Sequence, residues 1–170
     1  MANLITFSRM AFVVPIGLAM EMGKMKLALI LFVVAALTDW LDGYVARKTN
    51  TITETGKVMD QMADKVLITS VMVFLVQMGK ISPWLVFLII WRDVMVSAVR
   101  ILAAKKGEII AANIFGKVKT VSQMILVIWI LAEGILPQGM VNTILVWVVA
   151  ISTLLSGFVY LHSNRGVFRI

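Results

Sequence analysis

The sequence contains no cysteine and a single histidine, His162, among its 170 residues. Without cysteine there can be no disulfide framework, no thiolate nucleophile and no zinc site built on thiolates. Acidic residues are also few, since the chain has nine aspartates and glutamates but sixteen lysines and arginines. Hydrophobic residues make up 61% of the chain, more than a soluble domain of this length could bury. The composition therefore predicts an integral membrane protein.

Six apolar stretches are long enough for membrane helices, because a bilayer core takes about 20 apolar residues in helical form. The predicted spans are 5–20, 25–46, 56–78, 82–104, 115–136 and 140–161. The breaks between them are short, which predicts one all-α bundle and a single domain over residues 1–170. The N-terminus lacks the pattern of a cleaved signal peptide, so we expect the first helix to be retained.

Lysines and arginines are concentrated in alternate connections of this predicted bundle. Arg47, Lys48 and Lys57 flank one loop, whereas the neighbouring connections carry only Lys24, Lys26 and Lys80. By the positive-inside rule, both termini should face the cytoplasm. The net charge of +7 fits this topology and an attraction to anionic membrane lipids, and we expect no nucleic-acid partner.

Four aspartates lie where the second and third spans approach the loop between them. Asp39 and Asp42 stand at i and i+3 on the second predicted helix, with Gly43 on the same face. Asp60 and Asp64 stand at i and i+4 on the third. A loop of about nine residues would let the helices pair antiparallel, so that four carboxylates converge in one recess open to the cytoplasm.

Carboxylates at this depth need a positive partner, since each costs about 2.5–3.5 kcal/mol on insertion scales and they repel one another. Salt bridges to Arg47, Lys57 and Lys65 are one solution, although these side chains can also reach the headgroups. A divalent metal is the other solution. Oxygen ligands without histidine or cysteine nearby suit Mg²⁺ or Mn²⁺, so we predict a metal site.

Small residues accompany the aspartates. Gly43, Ala46 and Gly56 either let the helices pack closely or let a planar group lie against the backbone. Arg47 follows directly after Ala46. Carboxylates, small residues and a guanidinium together are typical of a site for a diphosphate held by metal.

The segment DWLDGYVARKTNTITETGKVMDQMAD reads D-x-x-D-G-x-x-A-R-x8-G-x3-D-x3-D. This pattern resembles the signature of the CDP-alcohol phosphotransferase family, which also has six spans. The resemblance implies a membrane enzyme that uses a pair of divalent ions, forms no covalent enzyme intermediate and acts as a homodimer. The implied metal ligands are Asp39, Asp42 and Asp60, with Asp64 near the metals as general base. The implied CDP-binding residues are Gly43, Ala46, Arg47 and Gly56.

Three further segments, NLITFSRMAFVVP, WRDVMVSAVR and NIFGKVKTVSQM, resemble the bacterial branch of the family that transfers a phosphatidyl group from CDP-diacylglycerol to glycerol 3-phosphate. Arg92 and Arg100 lie eight residues apart on one face of the fourth span, and Lys117 opens the fifth. We predict that they form a phosphate pocket beside the metal site. Alternatively, Arg92 pairs with one of the four aspartates. Asp93 is turned about 100° from Arg92 and is not expected to neutralise both arginines.

Two other functions fit parts of the pattern. A cation transporter also places carboxylates within a bundle, but it needs a pathway open to both sides of the membrane, and the acidic cluster lies toward one face. Another member of the same family would use inositol phosphate, serine or another lipid as acceptor.

The expected location is the bacterial cell membrane, with the active site facing the cytoplasm and membrane lipids as neighbours.

Overall fold

The computed structural model describes residues 2–48, 54–105, 114–137 and 139–168, with side chains for 11–38, 65–104, 114–137 and 139–166. Within these residues the secondary structure is helical. The helices are α1 (Ala2–Glu21), α2 (Met25–Lys48), α3 (Glu54–Gln77), α4 (Pro83–Lys105), α5 (Ile114–Leu131) and α6 (Met140–Ser163), followed by a 3₁₀ turn, η1 (Arg165–Phe168). The predicted all-α class is confirmed.

Each helix falls on one of the six predicted apolar stretches. The largest difference is at α5, which ends at Leu131 although the apolar run was predicted to continue to position 136. Gly134 adopts a φ of +83° just beyond this end, a left-handed conformation that a helix cannot include. Apolar side chains thus continue past the point where the backbone has already turned.

The chain divides into two compact units, and the first comprises Met1–Lys80 and Val127–Gln138. Here α1 packs against both α2 and α3. Gly17 of α1 lies against the ring of Phe74 of α3, and a Cβ at this position would stand 2.6 Å from Cε2 of that ring. The two helices can approach this closely because position 17 carries no side chain.

Two helices of the first unit end in the same way. After α1, the N–H of Gly23 donates to Met20 at 2.9 Å and that of Lys24 to Ala19 at 2.8 Å. The same pair of bonds closes α3, where Gly79 follows the last turn with a φ of +69°. This is the Schellman arrangement, in which a left-handed glycine satisfies the last free carbonyls of a helix.

One partly exposed ion pair links two connections of the first unit. Nζ of Lys80, after α3, lies 2.5 Å from Oε1 of Glu133, after α5. Both side chains are about a third exposed, at 31% and 38%. Pairs with this exposure contribute up to about 1 kcal/mol, so this bridge fixes the loops more than it stabilises the fold.

The second unit comprises Ile81–Leu126 and Gly139–Ile170. In it α4 packs against α6, and η1 contacts both helices. Ser122 of α5 and Ser152 of α6 place their hydroxyls 3.0 Å apart, which links α5 to α6 by a hydrogen bond. Val96, Val99 and Tyr160 form a buried apolar cluster between α4 and α6.

Two helices of the described part are long and apolar enough to cross a membrane, namely Ile114–Leu131 and Met140–Ser163. Shorter apolar stretches cover Ala11–Glu21, Met25–Thr38 and Lys65–Gln77. Large apolar side chains such as Trp147, Leu154 and Phe158 are exposed on α6, as expected of a lipid-facing surface. These features fit a membrane protein, whereas six spans and a single domain stay predictions.

Candidate active site

The four motif aspartates lie on helical backbone, as the predicted stripes require. Asp39 and Asp42 fall within α2, and Asp60 and Asp64 fall within α3. Because α1 packs against both helices, the two stripes belong to elements that share a neighbour. The side chains of residues 39–64 lie outside the described residues. This range also contains the predicted CDP-binding residues Gly43, Ala46, Arg47 and Gly56. Their roles stay predictions.

The donor chemistry of the motif still fits the implied metal. Four carboxylates offer hard oxygen ligands, which match the preference of Mg²⁺ and Mn²⁺. Among the side chains that the structure describes, no group of three aspartates, glutamates, histidines or cysteines could hold an ion.

Arg92 of α4 is buried, with 8% of its surface exposed. Its Nη1 donates to Oδ1 of Asp93 at 2.9 Å, and its Nη2 donates to the hydroxyl of Ser156 on α6. The predicted 100° separation of neighbouring helix residues does not prevent the first bond, because the long arginine side chain folds back toward Asp93. The described acidic partner of Arg92 is thus its neighbour in sequence.

Asp93 joins a second cation to this arrangement. Nζ of Lys119 lies 2.9 Å from its Oδ1 and 2.7 Å from its Oδ2. Lys119 is only 3% exposed, and Asp93 is 9% exposed. We call Arg92, Asp93, Lys119 and Ser156 the Arg92 cluster; it joins α4, α5 and α6 within the second unit.

Two glycines make room for the arginine. A Cβ on Gly116 of α5 would lie 3.6 Å from Nη2 of Arg92, and one on Gly157 of α6 would lie 3.2 Å from its Cγ. The second distance is tighter than ordinary van der Waals contact, so a side chain at position 157 would require the arginine stem to move by a few tenths of an ångström. Arg92 therefore occupies a slot bounded by three helices.

One donor of Arg92 has no acceptor in the described part of the chain. Its Nε is buried and lacks a hydrogen-bond partner there. A buried N–H without a partner costs about 1–3 kcal/mol, and more on a charged group. An oxygen-rich anion such as a phosphate would supply the acceptor that this group needs.

The other two predicted phosphate ligands have different surroundings. Arg100 is partly buried, and its Nε donates to the hydroxyl of Tyr160 at 3.3 Å, with the guanidinium carbon 6.0 Å from the ring centroid. Lys117 is exposed at the start of α5, whereas Lys119 points into the cluster. All three predicted residues belong to the second unit.

Sequence reasoning missed Lys119, Ser156 and Gly157. Lys119 could have been found from periodicity, since Gly116, Lys119 and Gln123 stand at i, i+3 and i+7 and form a polar stripe on an otherwise apolar helix. Ser156 and Gly157 carry no such signal, because a serine and a glycine in an apolar helix usually reflect close packing.

A model of the CDP-alcohol phosphatidyltransferase family matches residues 1–155. The chain belongs to this family. The match extends far beyond the aspartate motif and confirms the resemblance drawn from it. Members of the CDP-alcohol phosphatidyltransferase family are generally dependent on divalent metal, which agrees with the donor set of the motif.

Similar proteins of this family carry one common name, CDP-diacylglycerol--glycerol-3-phosphate 3-phosphatidyltransferase. The protein of that name from Bacillus subtilis (strain 168) is 40% identical over 139 residues, which are 79% of this chain and 72% of the relative. The Rickettsia felis protein is 33% identical over 173 residues, covering 98% and 96%. The Salmonella typhimurium (strain LT2) protein is 37% identical over 161 residues, covering 91% and 87%.

Proposed function

We propose that this protein transfers the phosphatidyl group of CDP-diacylglycerol to glycerol 3-phosphate, releasing CMP and forming phosphatidylglycerophosphate for phospholipid biosynthesis. The observation that carries this proposal is the similarity to relatives of that name, which reaches 98% of the chain. The Arg92 cluster adds a physical argument, because its buried guanidinium has a donor suited to a phosphate oxygen.

In the proposed reaction, a free hydroxyl of glycerol 3-phosphate attacks the phosphorus that carries the diacylglycerol. A new P–O bond forms, the bond from that phosphorus to the oxygen of CMP breaks, and CMP leaves with the electron pair. Asp64 accepts the proton of the attacking hydroxyl as general base. Gly43, Ala46, Arg47 and Gly56 bind the CDP portion of the donor.

Asp39, Asp42, Asp60 and Asp64 would hold a pair of Mg²⁺ or Mn²⁺ ions. When bound, these ions would neutralise the carboxylates and stabilise charge on the pyrophosphate. Asp64 has a second role besides metal binding, since as general base it must remain basic enough to accept a proton.

The acceptor phosphate would be held by Arg92, Arg100 and Lys117. Guanidinium groups present paired donors that match phosphate oxygens, which a lysine cannot do. Burial strengthens such contacts, and Arg92 is the most buried of the three. The exposed Lys117 would meet the acceptor first and contribute mainly charge.

We place the protein in the bacterial cell membrane as a multi-pass homodimer, with the active site on the cytoplasmic side, where cytosolic glycerol 3-phosphate is available. The distribution of lysine and arginine among the predicted loops supports this orientation. The homodimer follows from the family resemblance.

The deciding experiment offers one purified preparation several acceptors. The protein in detergent micelles with CDP-diacylglycerol and Mg²⁺ receives glycerol 3-phosphate, inositol phosphate or serine, and the lipid product is identified by mass spectrometry. We expect phosphatidylglycerophosphate and an equal amount of CMP with the first acceptor. A different lipid product would retain the family and replace the acceptor. The absence of any lipid product, together with cation flux after reconstitution into sealed vesicles, would indicate a transporter.

A further inference from the structure

The guanidinium of Arg92 is hydrogen-bonded to two side chains, those of Asp93 and Ser156. Asp93 accepts from its Nη1, and Ser156 of α6 accepts from its Nη2. Ser156 is 1% exposed, so its hydroxyl lies in the core of the second unit rather than at a solvated surface. Next to it, Gly157 faces the arginine stem, where a Cβ would come within 3.2 Å of Cγ.

This arrangement fixes the guanidinium through side chains of the protein itself. A free arginine side chain has several rotatable bonds, and a flexible binding group loses this rotamer freedom on each binding event. With Nη1 and Nη2 held from two different helices, both the position and the plane of the guanidinium are set before a ligand arrives. The nitrogen that lacks an acceptor in the described residues is Nε, while Nη1 and Nη2 each carry a second N–H.

We propose that Ser156 and Gly157 of α6 are positioning residues for the acceptor phosphate. Ser156 orients the guanidinium of Arg92 through Nη2, and Gly157 leaves the space in which its stem lies. This inference rests on the proposed function, since it takes Arg92 to be a phosphate ligand. It extends the acceptor site to α6, which supplies none of the residues predicted from the motif segments.

The test compares two serine substitutions on the same helix. Ser156→Ala removes the acceptor of Nη2, whereas Ser152→Ala, one turn away, removes a hydroxyl that lies 3.0 Å from Ser122 instead. Fixing one flexible side chain is worth about 0.5–1.5 kcal/mol, which is about two- to tenfold in affinity. We expect Ser156→Ala to raise the KM for glycerol 3-phosphate by that factor and to leave the KM for CDP-diacylglycerol unchanged. Ser152→Ala should change neither KM.

Gly157→Ala provides a second test that removes no hydrogen bond. Its methyl group must push the Arg92 stem by a few tenths of an ångström, so the same selective rise in the KM for glycerol 3-phosphate is expected. If Ser156→Ala cannot be purified in folded form, this variant decides the question alone.

The outcomes separate this inference from the proposed function. If the wild-type protein does not use glycerol 3-phosphate, both are overturned. If the wild-type protein uses it but Ser156→Ala and Gly157→Ala behave like Ser152→Ala, only the positioning role is overturned. A rise in both KM values by the same factor, or a fall in turnover alone, would equally contradict positioning, because an oriented phosphate ligand affects the acceptor selectively.

Discussion

Removing the charge of Asp93 should destabilise the protein far more than removing the charge of a comparable surface carboxylate. In Asp93→Asn, Lys119 and Arg92 remain buried at 3% and 8% exposure, while the carboxylate that contacts both is lost. Breaking a buried ion pair by removing one partner costs about 3–5 kcal/mol. For a chain of this length, this corresponds to a fall in Tm of about 6–20 °C.

The matched control is Glu133→Gln, which replaces a carboxylate by an amide in the partly exposed pair with Lys80. Because those side chains are 38% and 31% exposed, the loss should stay below about 1 kcal/mol. Both variants are heated in the same detergent at the same lipid content, unfolding is followed by circular dichroism, and their Tm values are compared.

A double variant tests whether the buried pair is the cause. Lys119→Met removes the second charge at similar volume, so Asp93→Asn combined with Lys119→Met should recover at least half of the loss. The assignment of a strong buried ion pair is refuted if Asp93→Asn and Glu133→Gln have the same Tm. It is also refuted if the double variant loses, relative to the wild type, the sum of the losses of the two single variants.

Four further outcomes follow from the proposed reaction. Activity should require Mg²⁺ or Mn²⁺, so full turnover in excess EDTA would contradict the oxygen-ligand site. Asp64→Asn should lower turnover by at least about 10²-fold while the variant still binds CDP-diacylglycerol, and wild-type turnover would exclude it as the base. Arg100→Ala should raise the KM for glycerol 3-phosphate by about ten- to a hundredfold and spare the KM for the lipid; equal effects on both would indicate a structural role. A cysteine in place of Thr51 should react with an impermeant thiol reagent only in opened cells, and labelling of intact cells would reverse the orientation.

The helices of this protein could be predicted closely from the sequence because, in a membrane chain, hydrophobicity largely decides which segments become helical. Glycine, proline and charge mark where one apolar run stops, and α2 to α4 begin within a few residues of the predicted positions. The end of α5 was misplaced because Ile135 and Leu136 extend the apolar run, while Gly134 has already turned the backbone. Hydropathy alone cannot detect a left-handed residue.

The candidate site was predictable in its residue types but not in its pairing. Lys117 and Lys119 differ by two positions, which places them about 200° apart around α5, and only the packing of α4 and α6 decides which one faces inward. The bond from Arg92 to Asp93 depends on how a long side chain bends, which helix periodicity does not encode. The aspartate motif, by contrast, resembles the family signature through its spacing, and membership of the family is confirmed; the roles of its residues stay predictions.

The contact between Gly17 and Phe74 has a consequence for engineering this enzyme. A first membrane helix is often treated as an exchangeable anchor, to be replaced by a tag or by the leader helix of another protein. Here any residue other than glycine at position 17 would bring a carbon within 2.6 Å of the Phe74 ring, so either this ring or α1 would have to shift against α3, the helix that carries Asp60 and Asp64. A replacement helix chosen for hydrophobicity alone would disturb this contact, whereas one that also keeps glycine at the matching position would preserve the packing of α1 against α3.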